Sequence, residues 1–249
     1  MLQTKRADFS GIAARFHISP VTARIIRNRD VEGETAIDRY LNGTLDQLYD
    51  PHLMKDMDKA ASLILEKIQA GARIRIVGDY DIDGVCSTYL LYRGLSRCGG
   101  HVDYQIPERI RDGYGINESI IRKAKEDGID TIVTCDNGIA ALEQVRLAKE
   151  LGMTVIVTDH HEVVRAEDGS QILADAVVNP HRDDCPYPFA GICGGVVAYK
   201  LVQVLYEQNR IPEQEWKDML EFAAIATVGD VMKLQDENRI IVRWGLKQI

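Results

Sequence analysis

No apolar run in this 249-residue chain approaches the roughly 18 residues that a membrane-spanning helix needs. The start, Met1-Leu-Gln-Thr-Lys-Arg-Ala-Asp8, also lacks the apolar stretch of a secretory signal. Membrane association is therefore not expected. Cysteine is sparse: the five residues, at positions 86, 98, 135, 185 and 193, are odd in number and contain no Cys-x-x-Cys pair. That argues against a disulfide framework and for a reducing, cytoplasmic setting. Aromatics make up only 6%, and no repeat or low-complexity tract stands out, which leaves the composition of an ordinary globular protein. An excess of positive charge is missing too: the formal net charge is −8. On its face this opposes a phosphate-coated partner. A cluster of aspartates loaded with divalent cations is neutralised, however, so the acidic balance does not exclude nucleic acid.

What is present is a change of pattern near residue 70. Before it the chain reads as helical: Ser19-Pro20 is an N-cap and N1 pair leading into Val21–Arg27. Asp50-Pro51 opens a stretch with Leu53, Met57, Ala60, Ala61, Ile64 and Ile68 at helical spacing, stopping at Gly71. After it, short β-branched runs at 74–78, 102–106, 131–135, 154–158 and 176–178 alternate with amphipathic helices at 84–98, 116–127 and 139–151. Two longer helices, 194–209 and 212–228, follow. Asn117 is placed to cap the second of the alternating helices, and Gly128 and Gly152 to end two of them. Continuous apolar strands alternating with helices predict an α/β fold: a parallel β-sheet with helices on both faces, preceded by a short helical segment.

Polar clusters follow three of the strands. Asp79-Tyr-Asp81-Ile-Asp83-Gly84, Cys135-Asp136-Asn137-Gly138 and Asp159-His160-His161 each stand immediately after an apolar run. In open parallel sheets, ligands bind beyond the carboxyl ends of the strands, so the fold itself aligns the three clusters. Asp81 and Asp83, two apart on an extended segment, are expected to point the same way, with Gly84 allowing the turn into the next helix. Hard carboxylate oxygens with an imidazole are the donors of a divalent-metal hydrolase. The Asp-x-Asp-x-Asp-Gly pattern also opens an EF-hand loop, but the required twelfth-position glutamate is Leu90 here. Taken singly, Asp136 before Asn137-Gly138 reads as a turn, and Asp230 as the C-terminal turn of an apolar helix. His181, Cys185 and Cys193 match no common zinc spacing, and His17, His52 and His101 read as structural or surface residues.

At this point the motifs resemble a known family. Asp79-Tyr-Asp-Ile-Asp-Gly84, Thr134-Cys-Asp-Asn-Gly138, Thr158-Asp-His-His-Glu162 and Val228-Gly-Asp-Val231 are similar, in order, to four motifs of the DHH phosphoesterase superfamily. Leu48–Ala60, Pro107–Gly115 and Val178–Phe189 resemble, more narrowly, its RecJ family of exonucleases, which degrade single-stranded DNA from the 5′ end. The resemblance implies two divalent ions, Mn²⁺ preferred on account of the imidazole and Mg²⁺ able to serve, held by Asp81, Asp83, Asp136, His160 and Asp230, with Asp79 a further ligand. It implies in-line attack on the phosphodiester by a hydroxide between the ions. His161, His160 and Asp136 form the catalytic group, His161 facing the scissile phosphate or the leaving oxygen. Gly194 and Gly195, in a segment that opens a helix, are read as phosphate-binding through their N–H groups, with a plain helix start as the alternative. Arg109, Arg111 and Tyr114 are read as DNA contacts, with a solvated loop as the alternative.

The implied function is release of mononucleotides in DNA repair and recombination, on single strands presented by a single-strand-binding protein or a helicase. The implied organisation is a helical N-terminal segment, 1–70, and a DHH domain, 71–249, without the second DHH-associated domain or the oligonucleotide-binding fold of the family. Gly99-Gly100-His101 is not the Gly-Gly-His motif of that second domain, since Val102-Asp-Tyr follows it. The last residues, Trp244–Ile249, break off within an amphipathic pattern, so the chain is read as part of a longer protein. Asp30 stands where the family has glycine. A phosphoesterase for short oligonucleotides or nucleotides, and an inactive DHH scaffold, are the competing readings.

Overall fold

Five runs rich in valine, isoleucine and threonine pair into one sheet, since β-branched side chains pack well on a pleated surface. The computed structural model describes residues 5–108, 115–163 and 172–249. Its strands are β1 (Arg73–Val77), β2 (His101–Gln105), β3 (Thr131–Cys135), β4 (Thr154–Thr158) and β5 (Ala176–Val178). All pairings are parallel and the order is β2-β1-β3-β4-β5. The five runs expected from the sequence are these five strands, to within one residue. After β1 the chain lays β2 on one side and β3 on the other. The crevice at the carboxyl ends of β1 and β3 is therefore the topological switch point, where such sheets bind ligands.

The helices are α1 (Phe9–Phe16), α2 (Pro20–Asn28), α3 (Glu34–Asn42), α4 (Met57–Gln69), α5 (Ile82–Arg97), α6 (Glu118–Glu126), α7 (Leu142–Glu150), α8 (Gly194–Gln208), α9 (Glu213–Lys217), α10 (Leu220–Gly229) and α11 (Asp236–Gly245). Alternate strand residues divide between two cores. Ile74, Ile76, Val133, Cys135 and Ile156 face the larger one with α4, α5, α8 and α10, while Val77, Ile132, Val155 and Val157 face α6 and α7. The expected caps form: the Ser19 hydroxyl accepts from Thr22 N at 3.0 Å, and Asn117 Oδ1 from Ile120 N at 3.0 Å.

Three elements differ from expectation. Asp50-Pro51 opens a 3₁₀ turn, Pro51–Leu53, and α4 begins only at Met57 after Asp56 in a left-handed backbone. The single helix expected over 212–228 is broken at Asp218-Met219 into α9 and α10. The break lets Trp216 meet Tyr199 edge-on at 5.5 Å while Met219 and Leu220 enter the core. Third, α4 packs its buried Met57, Ala60, Ala61 and Ile64 into the core it shares with the sheet. A third, small cluster of Ile26, Val31, Ile37 and Tyr40 is, among the described residues, the one core that no strand enters. The chain is thus packed continuously across residue 70, and we propose residues 1–70 as a helical segment docked on a sheet-bearing domain, 71–249. Asp30, where the resemblance implies a glycine, has φ +62°, a conformation glycine adopts without strain.

Behind the sheet lies a buried ionic network. Lys200 on α8 and Glu237 on α11 are 2% and 0% exposed, with Nζ and Oε2 3.2 Å apart. Lys200 also donates to Tyr49 O at 2.9 Å, and Glu237 accepts from Tyr49 N at 3.3 Å and from the Tyr187 hydroxyl. Breaking one side of such a pair strands the other charge in the core. Lys200→Met should therefore lower unfolding stability by about 3–5 kcal/mol in urea titration. Lys200→Met with Glu237→Gln, whose amide oxygen can still accept from Tyr49 N while its NH2 donates to the Tyr187 hydroxyl, should recover part of that loss. A single variant as stable as the parent would contradict this account.

Candidate metal centre

At the end of β1, α5 begins at Ile82 rather than Gly84, so Asp81 and Asp83 do not lie on an extended segment as expected. Asp81 is the N-cap, its Oδ1 accepting from Gly84 N at 2.9 Å, and Asp83 sits in the first helical turn. Gly84 is needed for close approach: a Cβ there would lie 2.5 Å from Asp79 O. The Asp83 side chain is fully buried and grips another helix. Its Oδ2 accepts from Gly194 N and its Oδ1 from Gly195 N, both at 2.7 Å. Cys193, the N-cap residue of α8, supplies no side-chain cap, so Asp83 satisfies two of the helix's orphan N–H groups from afar.

At the end of β3, the ladder runs one residue further through Asp136 N to Thr158 O, 3.1 Å, which fixes Asp136 against β4. Asp136 has φ +59°, in the left-handed region that aspartate tolerates better than most residues. Asn137 ties the switch point together. Its Nδ2 donates to Val77 O (3.0 Å) and Cys135 O (2.9 Å), and its Oδ1 accepts from Ile116 N (3.2 Å). At the end of β4, Asp159 is 1% exposed and turned inward. Its Oδ2 accepts from Ile139 N at 2.9 Å, and its Oδ1 lies 2.7 Å from both His160 N and His161 Nδ1. Asn179 Nδ2 donates to His161 O at 2.9 Å. Asp230 arrives as the C-cap of α10.

These elements converge. His160 Nε2 lies 3.1 Å from Asp136 Oδ1, 3.5 Å from Asp83 Oδ2 and 3.8 Å from Asp230 Oδ2. Donor atoms of Asp83, His160 and Asp230 fall within 4.8 Å of one another, as do those of Asp79, Asp81 and Asp136. The two triads share no residue, and a third group, Asp136, His160 and His161, joins them. Burial, with Asp83 and Asp81 close by, pushes the Asp136 carboxyl up to about 10. Burial also raises Asp79, with Asp81 adding to it, and Asp230, with Asp83 adding to it. Among the described residues no lysine or arginine pairs with Asp79, Asp81, Asp83 or Asp230, and the buried Asp79 Oδ1 has no hydrogen-bond partner. Oxygen-rich triads with one imidazole, short of positive charge, fit hard divalent cations. The same groups are positioned for metal binding.

The sequence-predicted residues Asp79, Asp81, Asp83, Asp136, His160, His161 and Asp230 are thus brought together. Gly194 and Gly195 are not available as a phosphate cradle: their N–H groups are turned inward onto Asp83. Their lack of side chains serves close packing, since a Cβ on Gly194 would lie 2.7 Å from Asp136 Cβ and one on Gly195 2.5 Å from Ala226 Cβ. Arg109, Arg111 and Tyr114 lie outside the described residues. Cys193 faces Thr227 Oγ1 at 3.6 Å and Cys185 accepts from Lys55 N at 3.4 Å, so neither shares a site with His181. Sequence reasoning missed the positioning roles of Asn137, Asp159 and Asn179. Only the Asn-Gly turn signal marked the first, and no local signal marked the bonds they make across the fold.

The crowding has a measurable consequence. Asp136 ionises near 3.8 when free and near 10 in the metal-free fold. Between those values the folded chain binds the extra proton, so stability falls as pH rises across that window. Asp136→Asn should flatten this slope and stabilise the chain by about 1–3 kcal/mol at alkaline pH. Urea denaturation in a chelator, from acidic to alkaline pH, tests it; an unchanged slope would contradict the crowding argument.

Comparison with known proteins places this geometry. The sequence model of the DHH family, N-terminal domain, matches residues 73–227. The single-stranded-DNA-specific exonuclease RecJ of Bacillus subtilis is 38% identical over 239 residues, covering 96% of this chain and 29% of that protein. RecJ of Escherichia coli is 31% identical over 242 residues, covering 93% of this chain and 41% of that protein. Among solved structures, exonuclease RecJ bound to manganese superposes with a TM-score of 0.70 at 33% identity, over 78% of this chain and 48% of that one. RecJ in complex with Mn²⁺ from Thermus thermophilus gives 0.74 at 28% identity, over 96% and 33%. The chain spans less than half the length of each of these four relatives. With more than half of its residues inside the family match and its acidic and imidazole groups gathered at the switch point, the chain belongs to the DHH family.

Proposed function

We propose that this chain is the metal-binding catalytic part of a 5′-to-3′ exonuclease that releases mononucleotides from single-stranded DNA, acting in the cytoplasm in repair and recombination. The observation that carries this reading is the pair of donor triads without a shared residue, joined through Asp136 and His160 and flanked by His161. The RecJ relatives, named for action on single-stranded DNA, support the choice of substrate. Strands presented by a single-strand-binding protein or exposed by a helicase suit such an enzyme.

Asp83, His160 and Asp230 would hold one divalent ion and Asp79, Asp81 and Asp136 the other, with Mn²⁺ favoured over Mg²⁺ by the imidazole. When bound, the two ions supply an activated water and stabilise charge on the phosphoryl oxygens. The residues around them do the positioning. Asp159 accepts the Nδ1 proton of His161, which fixes the ring, and the bond raises the imidazole above its ordinary range. His161, its ring fixed in this way, is the group proposed to protonate the leaving oxygen. Arg109, Arg111 and Tyr114 remain proposed contacts for the strand itself.

The test is an assay of the purified chain with Mn²⁺ on 5′-phosphorylated single strands, duplexes, dinucleotides and pyrophosphate. Mn²⁺-dependent release of mononucleotides from single strands alone is expected, with Asp136→Ala inactive. Asp159→Asn should lower kcat by roughly 10- to 100-fold with Mn²⁺ affinity less affected. Activity confined to dinucleotides or pyrophosphate would favour the small-substrate phosphoesterase. Activity that survives Asp136→Ala would overturn the metal assignment.

A further inference from the structure

A cavity of about 310 Å³ adjoins the metal centre, and Asp159 and His161 form part of its wall. Its floor is aliphatic. Ile116 and Ile139 are 5% and 3% exposed, so they are fixed by the core beneath them. Ala140 and Ala141 complete the apolar side, and their short side chains leave the space open. Three main-chain donors of this wall are already committed: Ile116 N to Asn137 Oδ1, Ile139 N to Asp159 Oδ2 and Ala141 N to Gly138 O at 3.0 Å. A phosphate set against the side chains of Ile116, Ile139, Ala140 and Ala141 meets hydrocarbon, and at the rim the Glu162 carboxylate. A flat heterocycle meets a complementary surface. Gln144 also lines the cavity, and among the described residues its side-chain amide has no hydrogen-bond partner. One donor and one acceptor in a plane can meet the edge of any of the four bases, given the rotation a glutamine amide allows.

We propose that this cleft receives the base of the nucleoside esterified to the phosphate at the metal centre, binding it by its face rather than by its identity. The inference rests on the phosphodiesterase reading above, and it adds where the substrate's first base goes. The cavity's volume is at the lower end for sites that enclose small organic groups and is enough for a base. Sharing His161 with the metal centre makes the cleft continuous with the reacting phosphate, so a nucleoside held there needs no separate tether.

The test compares equilibrium binding of dTMP, dAMP and 2-deoxyribose 5-phosphate to the Mn²⁺-loaded chain. Both nucleotides are expected to bind about tenfold or more tightly than the sugar phosphate, and within about threefold of each other. Ala140→Trp, at an exposed position where the fold tolerates bulk, should bring the ratio close to one by filling the cleft. Gln144→Ala should reduce it by a smaller factor. Equal affinity for all three ligands in the parent chain, or a ratio that neither variant changes, would overturn the proposal, as would the absence of binding by any of them. Failure of the exonuclease reading is separately visible as absence of Mn²⁺-dependent hydrolysis of single strands. Hydrolysis with equal affinities would sink the cleft alone.

Discussion

The Asp83 carboxylate, clasped by the N–H groups of Gly194 and Gly195, is the interaction on which the site depends. It joins the first turn of α5 to the start of α8, two helices that pack along their length on the same face of the sheet. Without a carboxylate there, the amino end of α8 would be buried with unsatisfied donors, because Cys193 offers no cap. The glycines opposite are needed for room: a Cβ on Gly194 would strike Asp136, and one on Gly195 would lie 2.5 Å from Ala226 Cβ and 3.1 Å from Asp83 Oδ1. The same contact therefore fixes the helix, fixes Asp83 and leaves room for Asp136. A structural requirement and a ligand position are met by one side chain.

That economy leaves the metal-free site in tension. Asp79, Asp136 and Asp230 are all pushed upward by burial and by the neighbouring carboxylates, and among the described residues no lysine or arginine pairs with Asp79 or Asp230 to offset it. A fold selected for stability alone would not gather these groups. Asn137, bonded to β1, β3 and Ile116, and the ladder bond from Asp136 N to Thr158 O are what hold the carboxylates in place against their repulsion. Divalent cations convert that repulsion into attraction, so the rigidity of the strand ends is what preorganises the site.

Much of this was legible in the sequence, and for identifiable reasons. The strands could be read because β-branched runs followed by Asp or His clusters are local signals, and β3, β4 and β5 fall on the expected residues. The gathering of Asp83, Asp136 and His160 then followed from parallel topology. What could not be read depends on contacts across the fold. Asp83 caps a helix 111 residues away in sequence, and nothing near Gly194 announces that its N–H is spoken for. The phosphate role expected for Gly194 and Gly195 rested on a true local pattern, a glycine pair opening a helix, whose donors had another partner. Asp159 stood in the Asp-His-His cluster with no role of its own, yet burial and four hydrogen bonds to its carboxylate make it the residue that orients His161. The start of α5 at Ile82 was hidden for a similar reason: Asp81 is as good an N-cap as it is a strand-end carboxylate.

Asp230 is the ligand position that arrives last in the chain, and it is also the one held from farthest away. It stands at the end of α10, followed by Val231 at φ +55°, a conformation a β-branched residue adopts only under constraint. The constraint comes from α11. Asn238 there donates to Lys233 O at 3.1 Å and to Gly191 O at 2.6 Å, tying the segment after Asp230 to the approach of α8. In turn α11 is braced by the N-terminal helices: Trp244 Nε1 donates to Gly43 O at 2.9 Å, Arg243 to Leu41 O, and Glu237 closes the Lys200–Tyr49–Tyr187 network. The helical segment before the sheet thus contributes no donor to the metal centre among the described residues, yet it buttresses the helix that positions one.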